Sequence, residues 1–176
     1  MGIPRHTALL YRNEKLFIES ASAFIKTGLN EDATVFAIVT EKHRQDLSGI
    51  LASEGQPNDN LIFIDASDCL TQLMVDGWPD EPRFMRTMNA LIGPASEQGP
   101  VRVLGEMVAV LCNEGKASAA MRLEELWNTF VNRHNLQLLC ANLRLLCAYP
   151  LAAMYGAGGD QIRFTVCELH QRLSIK

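Results

Sequence analysis

Several residues able to do chemistry stand where apolar runs begin or end. Glu106 follows Gly105 at the close of the apolar run Val101–Glu106, a place where a carboxylate can act as acid, base or metal ligand. Its plainer role there is to accept backbone N–H bonds from the turn that follows. Cys147 precedes Ala148-Tyr149-Pro150 at another run's end, either as a reactive thiol or as a small core residue. His6 opens the first apolar run, and His170 falls in the last amphipathic stretch. Each could ligate a metal or move a proton, or could simply hydrogen-bond within the core. Glu124 and Glu125 lie beside Trp127 on a strongly helical stretch, where a solvated face is the simplest reading for both. His43 and His134 read as surface residues, and Trp78 and Trp127 as packing residues.

No motif binds these residues into a known catalytic centre. A nucleophile elbow (GxSxG) is missing, and sequence order assembles no Ser/His/Asp set. The five cysteines (69, 112, 140, 147, 167) include no Cys-x-x-Cys, and no Cys/His spacing resembles a zinc knuckle. Reduced thiols and no metal are therefore expected. A phosphate-binding loop needs glycines, a Lys and a Ser/Thr so that N–H groups and charge can wrap the phosphates. The segment in that place, Tyr11-Arg12-Asn13-Glu14-Lys15, has no Gly and carries a carboxylate that would repel phosphate. Gly156-Ala157-Gly158-Gly159 does not have the spacing of a dinucleotide loop. Neither an enzyme nor a cofactor is expected.

The elements that must position these side chains alternate. HTALLY (6–11), TVFAIV (34–39), LIFI (61–64) and VRVLGE (101–106) read as buried strands. Helices are expected from Asn13 to Gly28, Glu41 to about Glu54, Ala66 to Val75, about Pro82 to Ile92, Lys116 to His134 and Gln161 to Leu173, with a turn at Asp76–Asp80. Strands that are apolar throughout, alternating with helices, predict an α/β fold of three layers with a mainly parallel sheet. Ligands in such sheets bind beyond the carboxyl ends of the strands, here Tyr11, Thr40, Asp65, Glu106 and Tyr149. A pocket lined by Tyr11, Glu106 and Tyr149, with Cys147 nearby, follows as an expectation.

Composition narrows the classes further. The chain has 176 residues, 48% of them apolar, enough for one domain spanning residues 1–176 with its own core. With 16 Lys+Arg against 20 Asp+Glu, the net charge of −4 argues against direct nucleic-acid binding. The N-terminal segment has no apolar core suited to a signal peptide. The most membrane-like window, Leu138 to Tyr155, contains Arg144, which would cost roughly 2.5 kcal/mol or more at a bilayer centre. A cytoplasmic protein without membrane association is expected.

One repeat stands out. Leu136-Gln-Leu-Leu-Cys-Ala-Asn142 is followed at once by Leu143-Arg-Leu-Leu-Cys-Ala-Tyr149, identical at five of seven positions. Local duplication of one strand is the simplest reading. A shift of seven turns every side chain to the opposite sheet face, so the copies cannot extend one strand with one buried pattern. The first copy is expected to be buried, within the domain or across a homodimer contact.

Taken together, HTALLY, MVDGWPDEPRF with FMRTMNALI, VRVLGEMVAVLCNEGKASAAMRLEELWN, LLCAYPL and VCELH resemble the MEDS domain, the methanogen/methylotroph DcmR-type sensory domain. The resemblance covers His6 to about His170. It implies a RecA/KaiC-like fold that has lost its phosphate loop. It also implies a sensor of small organic molecules such as hydrocarbon derivatives, working through a histidine kinase, a transcription regulator or another signalling partner. This chain carries no such segment itself, so it is expected either to act through a separate partner or to be a fragment of a longer protein. The family-like polar and aromatic positions are His6, Tyr11, Glu106, Glu125, Trp127, Cys147, Tyr149 and His170, carried over as candidate ligand-binding residues. The family pattern has one LLCAYP-like segment where this chain has a doubled heptapeptide; Cys147, followed by Tyr149-Pro150-Leu151, is preferred over Cys140 for the family position. A module that only binds other proteins, or a thiol redox switch using Cys140 or Cys147, are the alternatives.

Overall fold

The computed structural model describes residues 5–55, 59–137, 143–156, 158–170 and 172–176. In chain order the elements are β1 (His6–Tyr11), α1 (Glu14–Asn30), β2 (Thr34–Val39), α2 (Glu41–Ser53), β3 (Leu61–Asp65) and α3 (Ala66–Leu73). A two-strand hairpin follows, β4 (Met74–Val75) and β5 (Trp78–Pro79), and then α4 (Glu81–Gln98), β6 (Val101–Gly105) and α5 (Met107–Asn113). The chain continues with α6 (Ala117–Gln137), β7 (Leu143–Pro150), a 3-10 turn (Leu151–Met154), α7 (Gly159–Leu169) and β8 (Arg172–Ile175).

Six strands form one sheet in the order β3-β2-β6-β7-β1-β8, and every pairing in it is parallel. Parallel neighbours require crossovers, and the helices that provide them cover both faces. The result is a three-layer α/β fold, as the alternating pattern predicts.

Side-chain alternation along each strand divides the core in two. On one face, Leu9, Val35, Ala37, Leu104 and Ala148 pack with Phe17 and Ile25 of α1 and with Leu47 and Leu51 of α2. On the other, Ala8, Phe36, Val103, Cys147 and Tyr149 pack with Phe84 of α4, Trp127 and Phe130 of α6, and Val166 of α7. Helix starts follow from short acceptors: the Asn13 side chain accepts from Leu16 N, Asp65 from Ser67 N and Asp68 N, and Asp80 from Arg83 N.

Several elements differ from the sequence reading, among them α5 (Met107–Asn113), where no helix was expected. Helix α4 runs through Pro94 to Gln98 instead of stopping at Ile92. The missing N–H of Pro94 costs one backbone bond, but Ile92 and Ser96 are both buried and hold the last turn against the core. Helix α7 ends at Leu169, and Arg172–Ile175 becomes an edge strand where helix was expected to Leu173. The open edge of β1 supplies the reason: Lys176 N donates to Leu10 O at 2.9 Å, and Arg12 N to Lys176 O at 3.2 Å. Met74 and Val75, expected within α3, instead form β4 and pair with β5.

The second heptapeptide copy lies wholly in β7. Leu136 and Gln137 of the first copy end α6, so the two copies do not adopt one structure throughout. Residues 138–142, and with them the expectation that the first copy is buried, lie outside the described residues.

Candidate functional site

Four elements bring polar side chains to one point inside the core. His6 is the first residue of β1, Glu124 sits on α6, Cys147 on β7, and His170 caps the carboxyl end of α7. Register explains the strand pair: His6 stands opposite Leu145 and Ala8 opposite Cys147, so His6 and Cys147 are diagonal neighbours on one sheet face. Glu124 belongs to the inward stripe of α6 with Ala120, Trp127 and Val131, at spacings of four, three and seven residues.

The geometry is close. Glu124 Oε1 lies 2.7 Å from His6 Nε2 and 2.8 Å from His170 Nε2. His6 Nε2 is 3.5 Å from Cys147 Sγ, and the two imidazole rings lie tilted at 45° with centroids 4.1 Å apart. His170 Nδ1 donates to Val166 O at 2.8 Å, which fixes the ring with Nε2 facing the cluster. Glu124 is wholly buried.

Short as they are, the two imidazole contacts to Glu124 are poorly aligned. Both Glu124 oxygens and His170 Nε2 lack a hydrogen-bond partner in line, as do His6 Nδ1 and the buried Tyr149 hydroxyl. Tyr149 meets His170 edge-on, with centroids 5.9 Å apart. Burial by itself raises the Glu124 carboxyl, but the two imidazoles override it and hold the group below the usual carboxylate range. Burial, reinforced by the Glu124 charge, pushes the Cys147 thiol and the Tyr149 hydroxyl well up. Taking a carboxylate out of water costs several kcal/mol, and here the two imidazoles are what offset that cost.

A second polar group lies on the opposite face. His43 Nδ1 is 2.7 Å from Glu106 Oε1, while Glu106 Oε2 accepts from Thr40 N at 2.9 Å and Thr40 Oγ1 at 3.3 Å. Glu106 thus ties the end of β6 to the start of α2, and it does not make the expected bonds to the N–H groups of the turn that follows it. Phe17 joins Tyr11 and His43, at centroid distances of 5.1 and 4.4 Å. Burial, with the Glu106 charge second, raises the Tyr11 hydroxyl.

The eight residues singled out from the sequence therefore separate. His6, Cys147, Tyr149 and His170 come together, whereas Tyr11 and Glu106 face the other side of the sheet. The expected single pocket of Tyr11, Glu106 and Tyr149 is split by the sheet. The buried cluster also lies over the bodies of β1 and β7 rather than beyond their carboxyl ends. Trp127 packs edge-on against Phe84 and Phe130 next to Glu124 on α6. Glu125 is exposed and pairs with Arg122 at 3.2 Å. The residue that sequence reasoning missed is its neighbour Glu124, and the signal was present in the Ala120–Trp127–Val131 spacing. His43, expected at the surface, is buried in the same stripe as Leu47 and Leu51. Trp78, expected to pack, is 48% exposed.

A groove of about 470 Å³ opens elsewhere, between α1 and the starts of the central strands. Arg102, Arg144, Arg172 and Phe24 are among its lining residues. Glu31 already engages two of these cations, Arg102 at 2.7 Å and Arg144 at 3.3 Å. A smaller cavity of about 320 Å³ lies between Cys112, Pro150 and Ile162. Neither is lined by a residue of the buried cluster.

An α/β domain with an all-parallel sheet and a buried His/Glu/Cys/His cluster is the class of protein defined so far. The family model of MEDS, the methanogen/methylotroph DcmR sensory domain, matches residues 5–165, and the chain belongs to that family of sensory domains. No curated protein matches it. Among the described residues, no helix is long and apolar enough to cross a membrane.

Proposed function

We propose that this chain is a cytoplasmic sensory module that binds a small organic molecule at the His6–Glu124–Cys147–His170 cluster and signals through a partner protein. The observation that carries the reading is the convergence of unaligned polar atoms from four elements within an otherwise apolar core. Polar groups buried in this way are normally satisfied, so a cluster of them points to a missing partner. Family membership supplies the sensory role. No catalytic step is assigned to these residues.

Transduction follows from how the site is built. His170 joins α7 to β8, so a ligand that engages it together with His6 and Cys147 favours the docked position of α7. Binding shifts the population of that state by its differential affinity, and no further machinery is needed. A separate signalling protein, of the histidine-kinase or transcription-regulator kind, would read the docked surface. The thiol-switch alternative is less well supported, because burial pushes Cys147 away from the thiolate form that oxidation needs.

The test is calorimetric titration with a panel of one- to four-carbon alcohols, halides and carboxylates. At least one should bind the wild-type chain and bind Glu124→Gln at least tenfold more weakly. Binding that is unchanged in Glu124→Gln, or lost only when the groove residue Arg144 is replaced, would contradict the assignment.

A further inference from the structure

We propose that the His6–Glu124–Cys147–His170 cluster is a mononuclear binding site for a borderline divalent transition metal, with Zn²⁺ as the reference ion. The inference rests on the same cluster as the sensory reading but stands on coordination chemistry. His6 and His170 each offer Nε2, Cys147 offers Sγ and Glu124 a carboxylate oxygen, and these four atoms all lie within 4.8 Å of one another. Zinc bonds of about 2.0–2.3 Å in a tetrahedron place ligand atoms about 3.3–3.8 Å apart. The distances of 2.7, 2.8 and 3.5 Å within the cluster, and its 4.8 Å limit, bracket that range.

The donor set selects the class of ion. Thiolate with imidazole favours Zn²⁺ and similar ions over Mg²⁺ or Ca²⁺, which take oxygen ligands. Charge closes as well, since one thiolate and one carboxylate neutralise a divalent ion and leave a buried site with no net charge. On binding, the Cys147 thiol releases its proton to solvent and the sulfur donates an electron pair to the ion.

The surroundings match what such ligands need. The His170 Nδ1–H bond to Val166 O fixes ring orientation and leaves Nε2 as the donor, as is usual around metal-bound histidines. The short contacts that fail as hydrogen bonds are explained if the lone pairs converge on a common centre instead of on each other. The Tyr149 ring meets His170 edge-on, and its hydroxyl is buried beside the same histidine. All four ligands come from different elements, so no local Cys/His spacing could reveal them.

The full chain, stripped with chelator under reducing conditions, is titrated with Co²⁺ as a visible substitute for Zn²⁺. One ion per chain should bind, with the near-ultraviolet thiolate charge-transfer band and intense visible bands of a tetrahedral site, and Zn²⁺ should displace it. Cys147→Ser should abolish the charge-transfer band, and His170→Ala should weaken binding more than tenfold. Cys167→Ser, which alters an exposed thiol, should leave the spectrum unchanged. Circular dichroism of each variant confirms folding, and if Cys147→Ser fails to fold, Glu124→Gln is read in its place. A chain that gives no such spectrum, or whose spectrum disappears in Cys167→Ser and survives in Cys147→Ser, overturns the proposal. If the stripped chain still binds a member of the organic panel, the metal proposal alone has failed. If the metal binds and no panel member does, the organic-ligand reading has failed.

Discussion

His6 Nε2 and Glu124 Oε1 stand 2.7 Å apart with neither residue exposed to more than a trace of solvent, and the contact lacks hydrogen-bond alignment. A strand's first residue and the inward face of a long helix thereby meet through two buried polar side chains.

The first prediction concerns the stability cost of that arrangement. Breaking a buried ionic group by removing one partner usually costs about 3–5 kcal/mol, whereas replacing the whole group by apolar residues is often neutral or stabilising. Glu124→Ala should therefore lower stability in urea unfolding of the metal-free chain. The combined variant His6→Leu, Glu124→Leu, His170→Leu should match or exceed wild type. A combined variant much less stable than Glu124→Ala would show that the cluster is structural.

On the other face, Glu106 should behave as a structural residue. Glu106→Ala leaves His43 Nδ1 and Thr40 N without their acceptor, at a cost of about 2–4 kcal/mol. Urea unfolding should show that loss, while binding of the organic panel stays within twofold of wild type.

Glycine packing gives a third expectation. A Cβ on Gly28 would meet Arg102 Cδ at 2.6 Å and Val35 Cγ2 at 2.7 Å. Gly28→Ala should lose about 1–3 kcal/mol by overpacking. On α7, a Cβ on Gly159 would run into the backbone oxygen of Met154. Gly159→Ala should loosen α7 and weaken ligand binding at the cluster, read by faster amide exchange in residues 159–169.

A fourth prediction uses pH. The Arg102 hydrogen bond holds the Glu31 carboxyl below its ordinary value. A carboxylate depressed on folding contributes stability above its unfolded value of about 4.3, and that contribution is lost as pH falls through the folded value. Because Glu31 is 46% exposed, the contribution is at most about 1 kcal/mol. Glu31→Gln should be less stable than wild type at pH 7, with the gap narrowing at pH 3.

Thiol accessibility separates the cysteines. Cys167 is exposed, whereas burial raises Cys69 to about 11 and Cys112 to about 12. Iodoacetamide at pH 8 should label Cys167 first, with Cys69 and Cys147 protected until unfolding, as mapped by peptide mass spectrometry.

Much of the fold was legible because buried parallel strands read as continuous apolar runs and helices announce their starts with Asn13, Asp65 and Asp80. Strand β8 was not legible. Its residues Arg172–Ile175 gain strand structure only from the open edge of β1, a partner distant in sequence. Helix α4 outlasts Pro94 because tertiary burial of Ser96 outweighs a local signal. Half of the site residues came together as named, since strand ends and the last helix bound their positions. Charge suggests solvent for Glu124 and Glu125 alike, and only Glu125 was carried over from the resemblance, although the helical spacing from Trp127 turns Glu124 inward. The same spacing turns His43 inward with Leu47 and Leu51.

The central claim is that the sensory ligand is held at the His6–Glu124–Cys147–His170 cluster. Native mass spectrometry of the full chain, titrated with the panel of small alcohols, halides and carboxylates, tests it most directly. The predicted result is one added molecule per wild-type chain at concentrations where the combined variant His6→Leu, Glu124→Leu, His170→Leu, folded by circular dichroism, shows none. Equal occupancy of the folded variant and the wild type would contradict it.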